Sequence, residues 1–312
     1  FRNFMRNKFY TILNILGLSL GMATFIFILF YVNDEQGYDK HHVNHSRIYR
    51  IDSEFNINNK VDRFAIAPIP MGPAMKLEFP EVDKFVRFAN AGNVLIKHDN
   101  KEYYEDRFYF TDSTIFDVFT HEFVLGSPEN ALVEPKTMIL TEKVADKYFG
   151  DENPIGEILT TGQGDSYKII GVIKNLPANS HLKFDALISG TTIAEERGVE
   201  DFNSMEPMRF WNIGVITYVM LHENSSIESI YEKFEPFYDK YYKPIGEQIN
   251  ASYSMLSTPL AETHFRSDLA ADEPIGNKAY IFIFSAVAVL VLILAAINYM
   301  NMPTARSANW SR

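Results

Sequence analysis

Residues 279–299 read "AYIFIFSAVAVLVLILAAINY", and residues 12–32 read "ILNILGLSLGMATFIFILFYV". Neither stretch holds a charged residue. A helix of that length spans about 32 Å, close to the ~30 Å hydrocarbon thickness of a bilayer. A helix buried in a soluble domain would normally keep one polar face. Only Asn14, Ser19 and Thr24 interrupt the first run. Both runs therefore read as transmembrane helices. The first is too long for a secretory signal core and is followed by "NDEQGYDK" with no A-x-A-like site, so cleavage is not expected.

Working outward, the flanks carry the charge that orients these helices. Residues 1–11 hold Arg2, Arg6 and Lys8 and no acid, and residues 300–312 hold Arg306 and Arg312 and no acid. Of the 29 Lys/Arg and 40 Asp/Glu in the chain, residues 33–278 keep 24 basic and all 40 acidic side chains, a net charge of 24 − 40 = −16. The positive-inside rule places both ends in the cytoplasm and the acidic middle outside. Such an acidic body would repel a nucleic-acid backbone, so nucleic acid is not an expected partner. No cysteine is present, so no disulfide framework holds the outer part together. The chain starts with Phe and stops just past an apolar run, which reads as a fragment of a longer protein.

Within the outer part, "RIYRIDSEF" (47–55) alternates as a strand does. Gly72–Pro73 suits a turn into a short helix, "AMKLEF", which Pro80 stops. "VDKFVRF" and "NVLIKHD" read as strands. "TMIL" is a strand leading to a helix, with Thr141 expected to cap it, Glu142 at its positive end, Lys147 near its negative end and Gly150 as the left-handed stop. "SYKIIGVIKNLP" is a strand that "LKFDALIS" is expected to pair with. A polar helical region follows around residues 191–208, and "VITYVML" is a strand. From Ser226, Ile227, Ile230, Phe234, Phe237 and Tyr241 fall on one helical face. "ASYSMLSTPL" is a last strand. Strands and helices mix without regular β-α repetition. The expected fold class is α+β, with two transmembrane helices flanking a large mixed α/β domain.

Chemistry-bearing motifs are sparse. In "DKHHVNH", His41 and His45 would share a face if the segment were helical, an i,i+4 spacing that suits zinc, but the glutamate of an HExxH motif is missing. A surface segment after the first span explains the same residues. "GQGDSYK" lacks the P-loop spacing, and a hairpin turn accounts for its glycines. No G-x-S-x-G, S-x-x-K or catalytic cysteine occurs. No catalytic residue, cofactor site or metal site is expected, and any ATP-driven work needs a partner. Gly17 and Gly21 form a GxxxG in an apolar helix, where missing side chains let a second helix approach. Asn298 and Asn301 are costly in lipid and are expected at the interface or against another helix.

Several stretches, in this order, resemble one family: "YDKHHVNHSRIYRI", "MGPAMKLEFPEV", "STIFDVFTHEFVLGSPENALVEPKTMILTEKVADKYFGDENPIGEIL", "GVIKNLPANSHLKFDALIS" and "AAINYMNMPTARSANWSR". They are similar to the MacB/FtsX-like ABC transporter permeases, especially long Bacteroidetes forms, across nearly the whole chain. The resemblance implies this organisation: a cytoplasmic segment at 1–11, spans at 12–32 and 279–299, a MacB-like periplasmic domain at 33–278, and the start of a cytoplasmic link at 300–312. It implies a bacterial inner-membrane protein with further membrane helices beyond residue 312. It also implies mechanotransmission: a separate cytoplasmic ABC ATPase moves the membrane helices, and the periplasmic domain acts on a peptide, drug or lipoprotein-type substrate. Implied partners are that ATPase, a second permease copy or paralogue, the lipid bilayer, and a periplasmic adaptor or outer-membrane channel. Arg2, Arg6, Lys8, Arg306 and Arg312 become candidates for ATPase contact or for topology anchoring. The same two-span layout also fits a sensory receptor with an extracytoplasmic ligand-binding domain, or a tethered binding domain with no motor. A third apolar span after residue 312 would favour the permease, and heptads there the receptor.

Overall fold

A computed structural model describes residues 8–197, 204–273 and 276–307. The chain divides into two compact units: residues 39–275 form one body, and the segments on either side form a helix pair. The first helix, α1 (Lys8–Gln36), has 29 residues.

The body begins with turns and a 3-10 turn (His45–Arg47) that lead into β1 (Ile48–Ile57). β1 folds back on β2 (Lys60–Phe64) through Asn58 and Asn59, at φ of 52° and 66°. Asparagine is among the few L-residues that visit this left-handed region readily. β3 (Ala67–Pro68) and α2 (Met71–Glu78) follow. Gly72 and Pro73, expected to form a turn before the helix, lie in the first turn of α2 itself, and a Cβ on Gly72 would meet the Phe85 ring at 2.8 Å, so packing fixes the residue. Next come β4 (Val82–Asn90), β5 (Val94–His98), β6 (Lys101–Glu105) and β7 (Phe108–Thr111). After α3 (Ile115–Val118) and β8 (Phe123–Leu125) stand β9 (Thr137–Thr141), α4 (Glu142–Phe149), β10 (Ile158–Thr161), β11 (Ser166–Ile173), β12 (Ala186–Ser189) and α5 (Thr191–Arg197). Residues 198–203 of the expected polar helical region lie outside the described residues. A 3-10 turn (Pro207–Trp211) precedes β13 (Ile213–Leu221). Then α6 (Ile227–Glu232), α7 (Phe234–Tyr241), α8 (Lys243–Ile249), β14 (Ala251–Pro259) and α9 (Leu260–Thr263) complete the body.

Among the described residues, fourteen strands join one sheet, with the spatial order β14-β1-β13-β4-β7-β12-β9-β11-β10-β5-β6 and three short strands off that path. Most neighbours are antiparallel. β9 with β11 and β7 with β12 are parallel. Local hairpins plus two parallel pairs give the α+β class expected from the irregular element order.

Three local expectations change. "LKFDALIS" does not pair with β11, because β9 lies between them and takes both partners. The helix expected from Ser226 is two helices that break at Lys233, although Ile227, Ile230, Phe237 and Tyr241 are all buried as the periodicity requires. Thr141 occupies the N-cap of α4 with extended backbone, but its hydroxyl donates to the Asp185 carbonyl at 3.1 Å. The cap comes from Asn175 instead: its Oδ1 accepts the Lys143 N–H at 2.9 Å, and its own N–H donates to Glu142 Oε2 at 3.3 Å. Gly150 ends α4 at the expected place, but with φ 62° and ψ −124° rather than in the left-handed helical conformation.

The interior holds separate apolar clusters. One, under α2, α6, α7 and α8, is rich in rings: Phe210 stacks on Tyr241 at 4.5 Å, and Tyr242 lies on Tyr253 at 3.9 Å with planes 3° apart. The Phe210–Tyr241 pair has the geometry that adds about 0.5–1.5 kcal/mol beyond its buried area. A second cluster, around Val86, Phe88, Phe119 and Tyr218, sits beneath β1, β4 and β13. A third packs α4 on β9–β12 through Met138, Leu140, Val144 and Tyr148.

The last helix, α10 (Lys278–Ser307), packs on α1. A Cβ on Gly17 would meet Asn298 Nδ2 at 2.9 Å, and one on Gly21 would meet the Ala295 Cβ at 3.2 Å. Asn298 donates to the Asn14 carbonyl at 3.1 Å. The outer faces of the pair are greasy, with Phe27 73% and Phe282 74% exposed. Exposure of so many large apolar side chains marks a surface made for a non-aqueous neighbour. Both helices are long and apolar enough to cross a bilayer.

Candidate functional site

Period-two alternation along β1 sends Ile51 and Phe55 into the ring-rich cluster. It sends Ile48, Arg50 and Asp52 to the opposite face. Arg50 is 1% exposed and Asp52 fully buried. A guanidinium in such a place must find acceptors for its fork of donors. Its Nε donates to Asp52 Oδ1 at 2.7 Å. Its Nη1 and Nη2 donate in a bidentate pair to Asp272 Oδ1 and Oδ2 at 2.7 and 3.0 Å. Asp52 Oδ2 accepts from the Thr258 hydroxyl, whose oxygen also accepts from Arg266.

The network extends to His181. Its ring Nε2 lies 3.2 Å from Asp272 Oδ1 and 3.0 Å from Arg50 Nη1. Among the described residues Nδ1 has no hydrogen-bond partner. A proton on Nδ1 alone would strand a buried donor; with the proton on Nε2 the ring donates to Asp272 Oδ1, and the 3.0 Å approach of Arg50 Nη1 is then one of two donors converging on that shared oxygen rather than a hydrogen bond between them. The His181 main-chain N–H donates to Asp39 Oδ1 at 2.9 Å, and the Ser180 hydroxyl donates to the same oxygen at 3.3 Å. Asp39 is held at φ 56°, and its N–H donates to the Asn179 carbonyl at 3.0 Å.

Chain position gives this cluster its interest. Asp39 follows the end of α1 by three residues, and Asp272 precedes the start of α10 by six. Asp39 and Asp272, near the two ends of the body, thus meet in the same buried network beside β1, the strand next to edge strand β14.

Burial pushes the Asp39 carboxyl above its ordinary range, against the pull of the His181 N–H and ring. Burial likewise raises Asp52, with Arg50 and Thr258 opposing. For Asp272 burial also pushes upward, but the His181 hydrogen bond and the Arg50 charge outweigh it and hold the carboxyl below the usual value. Asp39 and Tyr218, whose Oδ2 and hydroxyl have no hydrogen-bond partner among the described residues, line a small cavity of about 10 Å³. That is room for no more than about one water, and for no organic ligand.

The histidines of "DKHHVNH" do not form a helical face, because residues 37–44 are turns. The His41 and His42 rings lie 4.0 Å apart between centroids and are tilted by 44°, and His42 Nδ1 accepts the Thr120 N–H at 3.0 Å. His121 lies 5.7 Å from the His42 ring and 5.4 Å from the Phe184 ring. Burial holds the His42 imidazole down to about 2 and that of His121 to about 3, so both stay neutral. Among the described residues no group of His, Asp and Glu is arranged to hold a metal ion. A second buried guanidinium, Arg87, grips Asp112 through Nη2 at 2.7 Å and Nε at 3.0 Å, and the Ile69 carbonyl through Nη1 at 3.0 Å. It joins β3, β4 and the segment after β7.

Of the residues singled out from sequence, Gly17 and Gly21 lie at the α1–α10 contact. Arg2, Arg6 and Arg312 lie outside the described residues. Lys8 opens α1 and Arg306 lies in the last turn of α10. The sequence reading missed the Arg50 network. Its one local signal was opposite charges two apart in an alternating strand, at Arg50 and Asp52.

An α+β body carried between two long apolar helices defines the class: a membrane-anchored domain. The profile of the family described as the MacB-like periplasmic core domain matches residues 11–237. The chain belongs to this family, and with it to the MacB/FtsX-like ABC transporter permeases. A permease domain from Porphyromonas gingivalis has the same fold: TM-score 0.61 and 21% identity, covering 78% of this chain and 98% of that one. The periplasmic region of MacB from Actinobacillus actinomycetemcomitans is similar at a TM-score of 0.43 and 12% identity, over 70% and 90% of the two chains. The extracellular domain of the noncanonic ABC-type transporter YknZ from Gram-positive bacteria is similar at 0.42 and 15% identity, over 66% and 99%. No curated protein matches the chain.

Proposed function

We propose that this chain is the part of an ABC transporter permease that couples a cytoplasmic ATPase to movement of a periplasmic domain. In this reading residues 12–32 and 279–299 cross the inner membrane, residues 33–278 lie in the periplasm, and residues 1–11 and 300–312 lie on the cytoplasmic side. The ATPase is a separate subunit, and the working unit pairs this permease with a second copy or a paralogue. The cargo is a peptide, drug or lipoprotein-type molecule handled outside the bilayer, with an adaptor or outer-membrane channel as a further partner. In this reading Arg2, Arg6, Lys8, Arg306 and Arg312 are candidates for contact with the ATPase or for anchoring the topology.

One observation supports the reading: Asp39, three residues after the first apolar helix, and Asp272, six residues before the last, belong to one buried charge network with Arg50 of β1. The cavity at that network admits no organic ligand, which favours a mechanical role for it over a sensory one.

The test is copurification of the full-length protein from its native membrane, followed by ATP turnover of the captured complex. The expected result is a cytoplasmic ABC ATPase whose turnover depends on the permease, and weaker dependence when Arg2, Arg6 and Arg306 are changed to Glu. Full-length protein that captures no ATPase and alters no turnover would overturn the proposal.

A further inference from the structure

His181 stands between the two segments that lead to the membrane helices. Its main-chain N–H holds Asp39 and its ring Nε2 holds Asp272, at 2.9 and 3.2 Å. Asp39 and Asp272 are far apart in the chain, yet both are almost fully buried, at 2% for the first and 7% for the side chain of the second. Arg50 reaches Asp272 and Asp52. Its reach toward the Asp39 side runs through the 3.0 Å contact with His181.

We propose that His181 is the residue that couples the two membrane connections, so that a change at the α1 connection is felt at the α10 connection and the reverse. This rests on reading α1 and α10 as membrane spans, and deepens that reading by naming a positioning residue. The physical basis is the difference between two independent anchors and one shared anchor. Two anchors let either helix move without the other. A shared buried anchor has few alternative arrangements, because each atom that leaves it strands a charge or a donor in a low-dielectric interior. The ring is fixed at one end only among the described residues, where Nδ1 has no hydrogen-bond partner. It can therefore follow Asp272 without breaking a second bond, while its main chain stays on Asp39.

Sequence neighbours strengthen the Asp39 side. Asn179 and Ser180 add a carbonyl and a hydroxyl to the same turn. The α10 side has its own support, in main-chain bonds from Ala65 to the Ala270 carbonyl and from Ala270 to the Arg63 carbonyl. The turn at Asp39 and the segment at Ala270 are thus each held by local bonds, and His181 supplies the link between them.

The test is a double-mutant cycle read by hydrogen exchange on the full chain in lipid nanodiscs. Asp272→Asn is expected to speed exchange in residues 39–45 by at least about five-fold when His181 is present, the scale of an ordinary allosteric coupling. In a His181→Ala background the same substitution should add nothing there. His181→Gln, whose terminal amide takes the place of Nε2, should restore the transfer. His181→Asn, whose amide takes the place of Nδ1, should not. This rescue pattern separates coupling from plain loss of packing, because Gln and Asn differ little in polarity. Equal effects of Asp272→Asn with and without His181 would overturn the proposal, as would failure of Gln to outperform Asn. The measurement needs no ATPase. A chain that binds no motor would therefore defeat the permease reading and leave this result standing.

Discussion

In the helix pair contact is made where side chains are missing: Gly17 and Gly21 let α10 within reach, and one amide, Asn298, adds a hydrogen bond. In the body, buried charges join distant segments: Arg50 with Asp272, and Arg87 with Asp112. The contrast follows from the solvent. Lipid gives apolar helices no reason to prefer each other over tails, so small residues and a polar bond decide the pairing. Water gives apolar residues ample reason to cluster, so the body can afford to enclose a few ions that fix which segments meet. The lesson is that specificity in each region is carried by its minority chemistry, glycine in one and buried charge in the other.

The hardest test of that contrast is to leave half of a buried ion pair behind. Asp272→Ala strips Arg50 of its bidentate partner and His181 of its acceptor. The expected cost is about 3–5 kcal/mol, since the remaining guanidinium stays in the interior uncompensated. Urea unfolding of the full chain in detergent, followed by near-ultraviolet circular dichroism, measures it. A loss under about 1 kcal/mol, the value of an exposed pair, would mean that the cluster is solvated and that the comparison fails on its outer side.

Acid should also separate the two regions. His42 is held neutral with its value depressed to about 2, and His121 to about 3, both below the ordinary histidine value near 6.5. Their contribution to stability is therefore complete above pH ~6.5 and is lost as pH falls from there toward those folded values. Each histidine steepens the decline by up to about 1.4 kcal/mol per pH unit. Asp39 and Asp52 act the other way. With raised folded values, their contribution is present below the unfolded carboxylate value and disappears as pH rises through the folded one, so they offset part of the acid loss near the bottom of the range. Thermal unfolding between pH 7 and 5 is expected to show the body weakening while the helix signal of α1 and α10 holds. His42→Asn, which keeps an acceptor for Thr120, should flatten the slope by about half. An unchanged slope would remove His42 from the account.

On the membrane side, Gly21→Leu inserts a side chain where Ala295 already lies 3.2 Å from the position of a Cβ. Overpacking of this kind costs about 1–3 kcal/mol. Fluorescence transfer between labels on α1 and α10 should fall, while the unfolding midpoint of the body stays in place. If the body loses stability equally, the two units are not held by separate means.

How far these contacts could be read beforehand depends on how local they are. The apolar runs, the alternation in β1, the helix of Glu142–Phe149 and the face formed by Ile227, Ile230, Phe237 and Tyr241 are periodic patterns within one segment, and they were legible. The GxxxG was legible as a motif, though its partner helix was not. The Arg50 network was not legible, because it joins residues 131 and 222 positions apart, and no pattern within one segment records such a meeting. Sheet order failed for the same reason. "LKFDALIS" was recognisable as a strand, but its neighbours were set by β9, which lies between it and the strand expected to pair with it.

The smallest expected effect probes that same boundary between local and distant information. Thr141 satisfies the residue preference of an N-cap and sits at the right place, yet its hydroxyl is turned to the Asp185 carbonyl. Asn175, which no local rule selects, supplies the acceptor for α4 from just beyond β11 and receives Glu142 in return. It is a reciprocal cap assembled across two elements rather than within one. Asn175→Ala should therefore cost about 1 kcal/mol, the usual value of a cap. Thr141→Ser, which keeps the hydroxyl, should cost less. Urea midpoints of the two variants decide between them. If Thr141→Ser is the more damaging of the two, the cap is the local one after all, and the helix start was fully written in its own segment.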